Sequence, residues 1–286
     1  MAEKPTALIL GCGYLGLRVA RRLRDQGYAV TTTTRSAARR DELVAEGFEA
    51  VRFELANAAN DALLARPFER VVYAVAPGRG DPRLAFLDGA VTAARRLRTR
   101  CFVYVSTIGV YAQKDGGELD EESPAEPVEE RPRWVRKAEQ ELLALSAAGT
   151  LPVVVIRLGG LYGPGRSPVE WFGRSEMRAR LETRGPDTYM NWIHIDDAAN
   201  AVVLAAQRGR TGEVYLGVDG SPVRRAEFFN CAAACGGGPP LEFRDASSDD
   251  TPDLGKRLSC EKALRELGFE PQFPSYREGL ASLRRE

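Results

Sequence analysis

The chain has 286 residues, about two domains' worth, and is long enough to bury roughly three-quarters of its unfolded surface without a disulfide or metal staple. Lys+Arg and Asp+Glu are both 40, so the net charge is zero, which argues against a diffuse nucleic-acid binder or an anionic-membrane binder. The 44% hydrophobic content excludes a disordered chain, and no apolar run reaches the length of a transmembrane span.

Met1 to Pro5 leads directly into the apolar run Ala7–Leu10, without the pattern of a secretory signal, so a cytoplasmic location is expected. Five cysteines (12, 101, 231, 235 and 260) and a single histidine, His194, supply no recognisable metal set; reduced thiols and no metal are expected. With one histidine, acid/base work falls to Tyr, Lys, carboxylates or a cofactor.

Taken in chain order, Thr6–Leu10 reads as a buried strand. Leu15, Val19, Ala20 and Leu23 recur at helical spacing until Gly27. The β-branched run Tyr28–Thr34 is a second strand, followed by a helix over 37–46 and a third strand at Ala50–Phe53. Val71–Val75 and Cys101–Val105 are further strands, with a helix over 83–98 between them. The polar stretch 113–132 reads as a surface loop. A helix over 133–148 leads to the strand Pro152–Ile156. Beyond the loop 159–168, helices are expected at 169–182, 197–208 (capped by Asp196 or Asp197), 224–235, 260–267 and 275–285, with strands at Met190–Ile195 and Glu213–Leu216. Regular alternation implies right-handed crossovers and an α/β fold: a Rossmann-type doubly wound parallel sheet with a smaller C-terminal substrate lobe. The expected division is 1–160 for the dinucleotide-binding domain and 161–286 for the lobe, with 189–218 returning to the first domain.

Gly11-Cys12-Gly13-Tyr14-Leu15-Gly16 places G-x-G-x-x-G between a strand and a helix. The first glycine permits the turn, the second lets backbone approach a pyrophosphate, and the third lets helix pack on strand. Gly11, Gly13, Tyr14, Leu15 and Gly16 are therefore candidate cofactor residues, with the phosphates at the positive end of the helix. The second strand ends Thr31-Thr32-Thr33-Thr34-Arg35-Ser36, with no carboxylate for a ribose 2′-hydroxyl. Arg35 and Ser36, with Arg39 or Arg40 nearby, suit a 2′-phosphate instead, so NADP(H) is expected over NAD(H).

Four motifs in order carry a resemblance: Gly11–Gly16, Ser106-Thr107-Ile108-Gly109-Val110-Tyr111, Ile156–Gly165, and Trp192-Ile193-His194-Ile195-Asp196-Asp197. Together with Gly255-Lys256-Arg257 and Tyr276–Leu280, they resemble the extended short-chain dehydrogenases/reductases, grouped as NAD-dependent epimerases/dehydratases. The resemblance implies that Thr107 is catalytic. It also implies a Tyr-x-x-x-Lys pair on one helix face, in which Tyr carries the proton and Lys lowers its pKa and binds the nicotinamide ribose. Lys137 fits the lysine position, but the tyrosine position holds Arg133, which cannot transfer a proton. The chain thus resembles an atypical branch.

Tyr111 is the expected substitute acid, and Tyr111 and Tyr162 are candidates to face the cleft. Glu54 and Leu55 are expected to flank the adenine. Val75, Ala76 and Pro77 are expected at the sheet's carboxyl edge, and Gly160 and Leu161 near the cofactor. His194 reads as a hydrogen-bonded structural residue, and Trp171, Phe172 and Trp192 as aromatic core. Two functions follow: an NADP(H)-dependent oxidoreductase or sugar-nucleotide-type epimerase/dehydratase relative lacking the usual catalytic Tyr, acting on a small molecule, anionic because of Arg133, or a non-catalytic NADP-binding sensor or partner-binding module. Position 133 discriminates between them. Oligomeric state is not readable.

Overall fold

The computed structural model describes residues 3–58, 61–76, 83–171, 185–243 and 253–284. Its centre is a seven-stranded, all-parallel sheet formed by β1 (Thr6–Leu10), β2 (Ala29–Thr34), β3 (Glu49–Arg52), β4 (Arg70–Tyr73), β5 (Cys101–Thr107), β7 (Val153–Leu158) and β11 (Val214–Gly217). The spatial order is β11-β7-β5-β4-β1-β2-β3. The order reverses at β1, between β2 and β4, which opens a crevice at the strands' carboxyl ends.

Strands covered on both faces must be apolar throughout, and Ala7–Leu10 and Val153–Ile156 are fully enclosed. In β2 the buried threonines satisfy their own hydroxyls. Thr31 Oγ1 donates to Glu49 Oε2 (2.6 Å), and Thr33 Oγ1 donates to the Ile9 carbonyl (3.1 Å). One face of the sheet is covered by α1 (Tyr14–Asp25), which buries Leu15, Gly16, Val19, Ala20 and Leu23, and by α6 (Ile195–Arg208) packed against it. The other face is covered by α3 (Arg83–Arg96) and α4 (Glu130–Ala147). α2 (Ala37–Ala45) links β2 to β3.

Residues 189–218 lie partly in the central sheet and its covering layer and partly outside them. β11 is the sheet's edge strand and α6 covers its face, whereas β9 (Tyr189–Met190) pairs with β12 (Val223–Arg224) outside it. β8 (Gly160–Tyr162) pairs with β10 (Trp192–His194). α5 (Pro168–Trp171), α7 (Arg225–Cys235) and α8 (Tyr276–Ala281) lie outside the sheet. Beside them is a separate aromatic cluster in which Trp192 stacks on Phe228 at 4.3 Å between centroids.

Three sequence expectations are corrected. α6 is capped not by an aspartate but by His194, whose Nδ1 accepts from the Asp196 N–H (3.3 Å); both carboxylate oxygens of Asp197 instead accept the Gln272 and Phe273 N–H groups. The stretch 113–132 is not all loop: β6 (Glu118–Leu119) pairs in parallel with β13 (Arg257–Leu258). The strand expected at Met190–Ile195 is broken at Asn191, whose side chain turns to the Lys256 carbonyl and the Leu258 N–H. The helix expected at 260–267 is present over 261–267, wound as a π-helix at Ala263–Leu267 and stopped by Gly268 at φ 66°. The expected helix 169–182 is seen as α5; Phe172 and the residues to 184 lie outside the described residues. No described helix is long and apolar enough to cross a membrane.

Candidate cofactor and active site

The glycine turn joins β1 to α1 beside the end of β4. Gly11 adopts φ 91°, and a Cβ there would lie 2.8 Å from Val75 Cγ2 and 3.0 Å from the Val75 nitrogen. A Cβ on Gly16 would meet the Gly11 carbonyl at 2.3 Å. Gly13 is different: among the described residues nothing lies within 4 Å of its would-be Cβ. Packing therefore demands glycine at 11 and 16, while at 13 the open side is available to a ligand. Gly13 N-caps α1 without any side-chain hydrogen bond, and the first turn holds no acid, so its amides and positive dipole end are uncompensated. Thr33 anchors the turn from β2, its Oγ1 accepting the Gly11 N–H (3.0 Å) and its carbonyl the Cys12 N–H (2.9 Å). Tyr14 and Leu15 open the helix, with Leu15 buried in the core. Cys12 is enclosed beneath the turn, and burial pushes its thiol up to about 11. The donor set and the open side of Gly13 fit a dinucleotide pyrophosphate.

At the end of β2, Arg35 is exposed and has no carboxylate partner among the described residues. Arg39 pairs with Glu42 (2.6 Å) and Arg40 with Asp41 (2.6 Å), so the two auxiliary arginines are engaged elsewhere. Ser36 caps α2, accepting the Arg39 N–H at 3.2 Å. Glu54 is exposed at the end of β3, whereas Leu55 packs against α3, its Cβ 2.7 Å from where a Gly89 Cβ would stand. Val75 abuts the glycine turn and Ala76 is exposed; Pro77 lies outside the described residues. Gly160 accommodates the Trp192 ring, which a Cβ would meet at 2.6 Å, and Leu161 packs on the core behind it.

Thr107 ends β5 and caps the turn Ile108–Val110, its side chain accepting the Gly109 N–H (3.1 Å). A Gly109 Cβ would stand 3.6 Å from Pro132 Cγ, so this turn abuts the first turn of α4. Farther along α4, Arg133 and Lys137 are exposed. Arg133 Nε donates to the Pro127 carbonyl (3.1 Å), and Lys137 Nζ lies 5.9 Å from the Trp134 ring centre.

Tyr111 does not stand open as a substitute acid. Only 1% exposed, its hydroxyl donates to the Asp120 carbonyl (2.7 Å) and accepts from Arg157 Nη1 (2.6 Å). Burial pushes the phenol up to about 12 against the lowering pull of Arg157. Tyr162 is likewise enclosed, edge-on to Trp192 and Phe228, rather than facing a cleft. The Trp171 side chain lies outside the described residues.

A family model described as the NAD dependent epimerase/dehydratase family matches residues 7–216. The chain belongs to this family. Among relatives, a dTDP-glucose 4,6-dehydratase of Streptomyces niveus is 32% identical over 66% of this chain and 57% of its own length. The chain thus spans little more than half of that dehydratase. A 3-diazoavenalumate denitrifying reductase of a Streptomyces species is 29% identical over 94% of this chain and 96% of its own. A solved structure of a functionally unknown conserved protein from Silicibacter pomeroyi superposes with a TM-score of 0.77 at 30% identity, covering 98% of each chain.

In this family member the motif reading passed over several residues. Glu139, midway along α4, and Arg157, near the end of β7, form a buried pair: Arg157 Nε and Nη2 donate to Glu139 at 3.0 and 2.9 Å, and Ser106 Oγ donates at 2.5 Å. A charged residue in the otherwise apolar run Val153–Leu158 is the signal that marks Arg157. Lys256 Nζ donates to the Tyr111 carbonyl (2.5 Å), and burial pulls its ammonium below the ordinary lysine range. Arg166 follows Gly163-Pro164-Gly165, a loop whose direction nothing in the sequence reveals.

Proposed function

We propose that the chain is a nicotinamide-dependent oxidoreductase that takes NADP(H) in preference to NAD(H) and acts on a small molecule carrying an anionic group. The observation that supports this most is the glycine turn: an uncapped helix end beside the open face of Gly13, with unpaired Arg35 at the neighbouring strand end. The bound nicotinamide would supply hydride exchange. Gly11–Gly16 would hold the pyrophosphate, Arg35 and Ser36 the 2′-phosphate, and Lys137 the nicotinamide ribose. Thr107 would orient a substrate oxygen. Arg133, a fixed cation where the family's pattern places a phenol, would hold a substrate carboxylate or phosphate. Tyr111 would position the Thr107 turn, leaving the proton to water. The two relatives' named substrates, a nucleotide sugar and an avenalumate, are both anionic, which supports that class here. The non-catalytic reading has no comparable support.

Direct titration of the purified chain tests the cofactor assignment. NADPH binds at least about tenfold tighter than NADH, the scale of a charge-assisted contact, and Arg35→Ala erases most of the difference. Equal affinities in the parent chain contradict it.

A further inference from the structure

We infer that Arg166 is a clasp for the cofactor pyrophosphate, reaching over the glycine turn from the loop that follows β8; this rests on the cofactor reading above. Tyr14 is the first residue of α1, and the Arg166 guanidinium stacks over its ring, 4.4 Å from the centre.

The loop is built to lie there. Gly163 and Arg166 exchange backbone hydrogen bonds (Arg166 N–H to the Gly163 carbonyl, 2.9 Å; the reverse, 3.4 Å), closing a tight turn. Gly163 adopts φ 145°, and a Cβ there would meet Ile195 Cγ2 at 2.5 Å and the Tyr14 hydroxyl at 3.2 Å. Arg18 fastens the same loop from below, donating to the Tyr14 carbonyl (3.0 Å) and the Pro164 carbonyl (3.2 Å) while facing Asp196 at 3.3 Å.

The two arginines on Tyr14 therefore differ. Arg18 is spent on the protein. Arg166 is exposed, and among the described residues its guanidinium has no carboxylate or carbonyl partner. Stacking fixes the plane of a guanidinium and leaves its N–H edge free, which suits a phosphate better than a mobile ammonium would.

The surroundings are rich in donors and poor in acceptors. The first amides of α1 have no side-chain cap. The Tyr14 hydroxyl and the His194 Nε2 are enclosed without a partner among the described residues, and because Nδ1 of His194 accepts a backbone N–H, Nε2 carries that ring's proton. A corner with surplus donors and an unpaired cation is completed by an anion, and the dinucleotide's pyrophosphate is the anion that the glycine turn brings there.

The test is titration of the full-length parent, Arg166→Gln and Arg166→Lys with NADPH, NADH and ADP across a salt series. Arg166→Gln weakens all three about tenfold, keeps the NADPH:NADH ratio and flattens the salt dependence; Arg166→Lys, with charge but no plane, falls between. Melting temperatures without ligand stay at the parent value, because the side chain is exposed. Parent-like affinities in Arg166→Gln overturn the clasp while leaving the cofactor reading intact. A change in the NADPH:NADH ratio also overturns it, placing Arg166 at the 2′-phosphate. A parent that binds neither dinucleotide overturns both.

Discussion

Glu139 has no exposed surface and is packed among Arg157, Ser106 and half-buried Arg136. Removing one partner of such a pair strands the other in a low-dielectric interior, at about 3–5 kcal/mol. Glu139→Leu is expected to lose that much by urea unfolding, whereas Glu139→Leu with Arg157→Met loses less than Glu139→Leu alone. A double variant weaker than both singles contradicts the pairing. Asp219 is the opposite case: Oδ1 accepts the Ser221 N–H (2.9 Å), but Oδ2 is buried with no partner. Burial, with Asp197 and Glu278 nearby, lifts its carboxyl to about 7. The native state thus holds a proton that the unfolded chain releases near pH 4, so this group's contribution to stability falls as pH rises from about 4 to 7 and levels off above. Asp219→Asn removes that loss, on the order of a few kcal/mol at most. Melting curves of variant and parent should diverge as pH rises from 5 to 8; parallel curves contradict the assignment. Neither Glu139 nor Asp219 announced itself in the sequence, because burial of a charge depends on which distant elements meet there.

At the scale of elements, the parallel strands were legible because each is a short apolar run bounded by turn residues, and a strand covered on both faces needs nothing else. The glycine turn was legible because its three glycines stand at fixed spacing between one strand and one helix, although of the three only Gly16 answers to contacts within that β–α unit, while Gly11 answers to Val75 beyond β4. What escaped were features set by partners far along the chain. β6 forms only because Arg257 and Leu258 arrive beside it, and the strand expected at 190–195 breaks because Asn191 serves the same returning segment. Tyr111 has the right spacing for a cleft tyrosine, but Arg157, 46 residues later, claims its hydroxyl. Gly16 carries the element-scale prediction. Gly16→Ala drives a methyl into the Gly11 carbonyl, so it should lower stability by about 1–3 kcal/mol with or without cofactor. An unchanged urea midpoint contradicts the close approach.

For the whole molecule, order reversal at β1 sets the crevice, and the chain beyond β7 returns to the sheet repeatedly: β11 at its far edge, the 163–166 loop over Tyr14, and Lys256 on the Tyr111 carbonyl. If the glycine turn seats a nicotinamide cofactor, Gly13 is the position where ligand and fold separate, because among the described residues nothing lies within 4 Å of a Cβ there. The most direct measurement is the melting temperature of the parent and Gly13→Ala with and without NADPH. Without cofactor the two should melt together. At a hundredfold excess over its dissociation constant, NADPH should stabilise the parent by about 2.7 kcal/mol and leave Gly13→Ala nearly unmoved. An equal rise in both proteins, or no rise in the parent with either NADPH or NADH, contradicts the account.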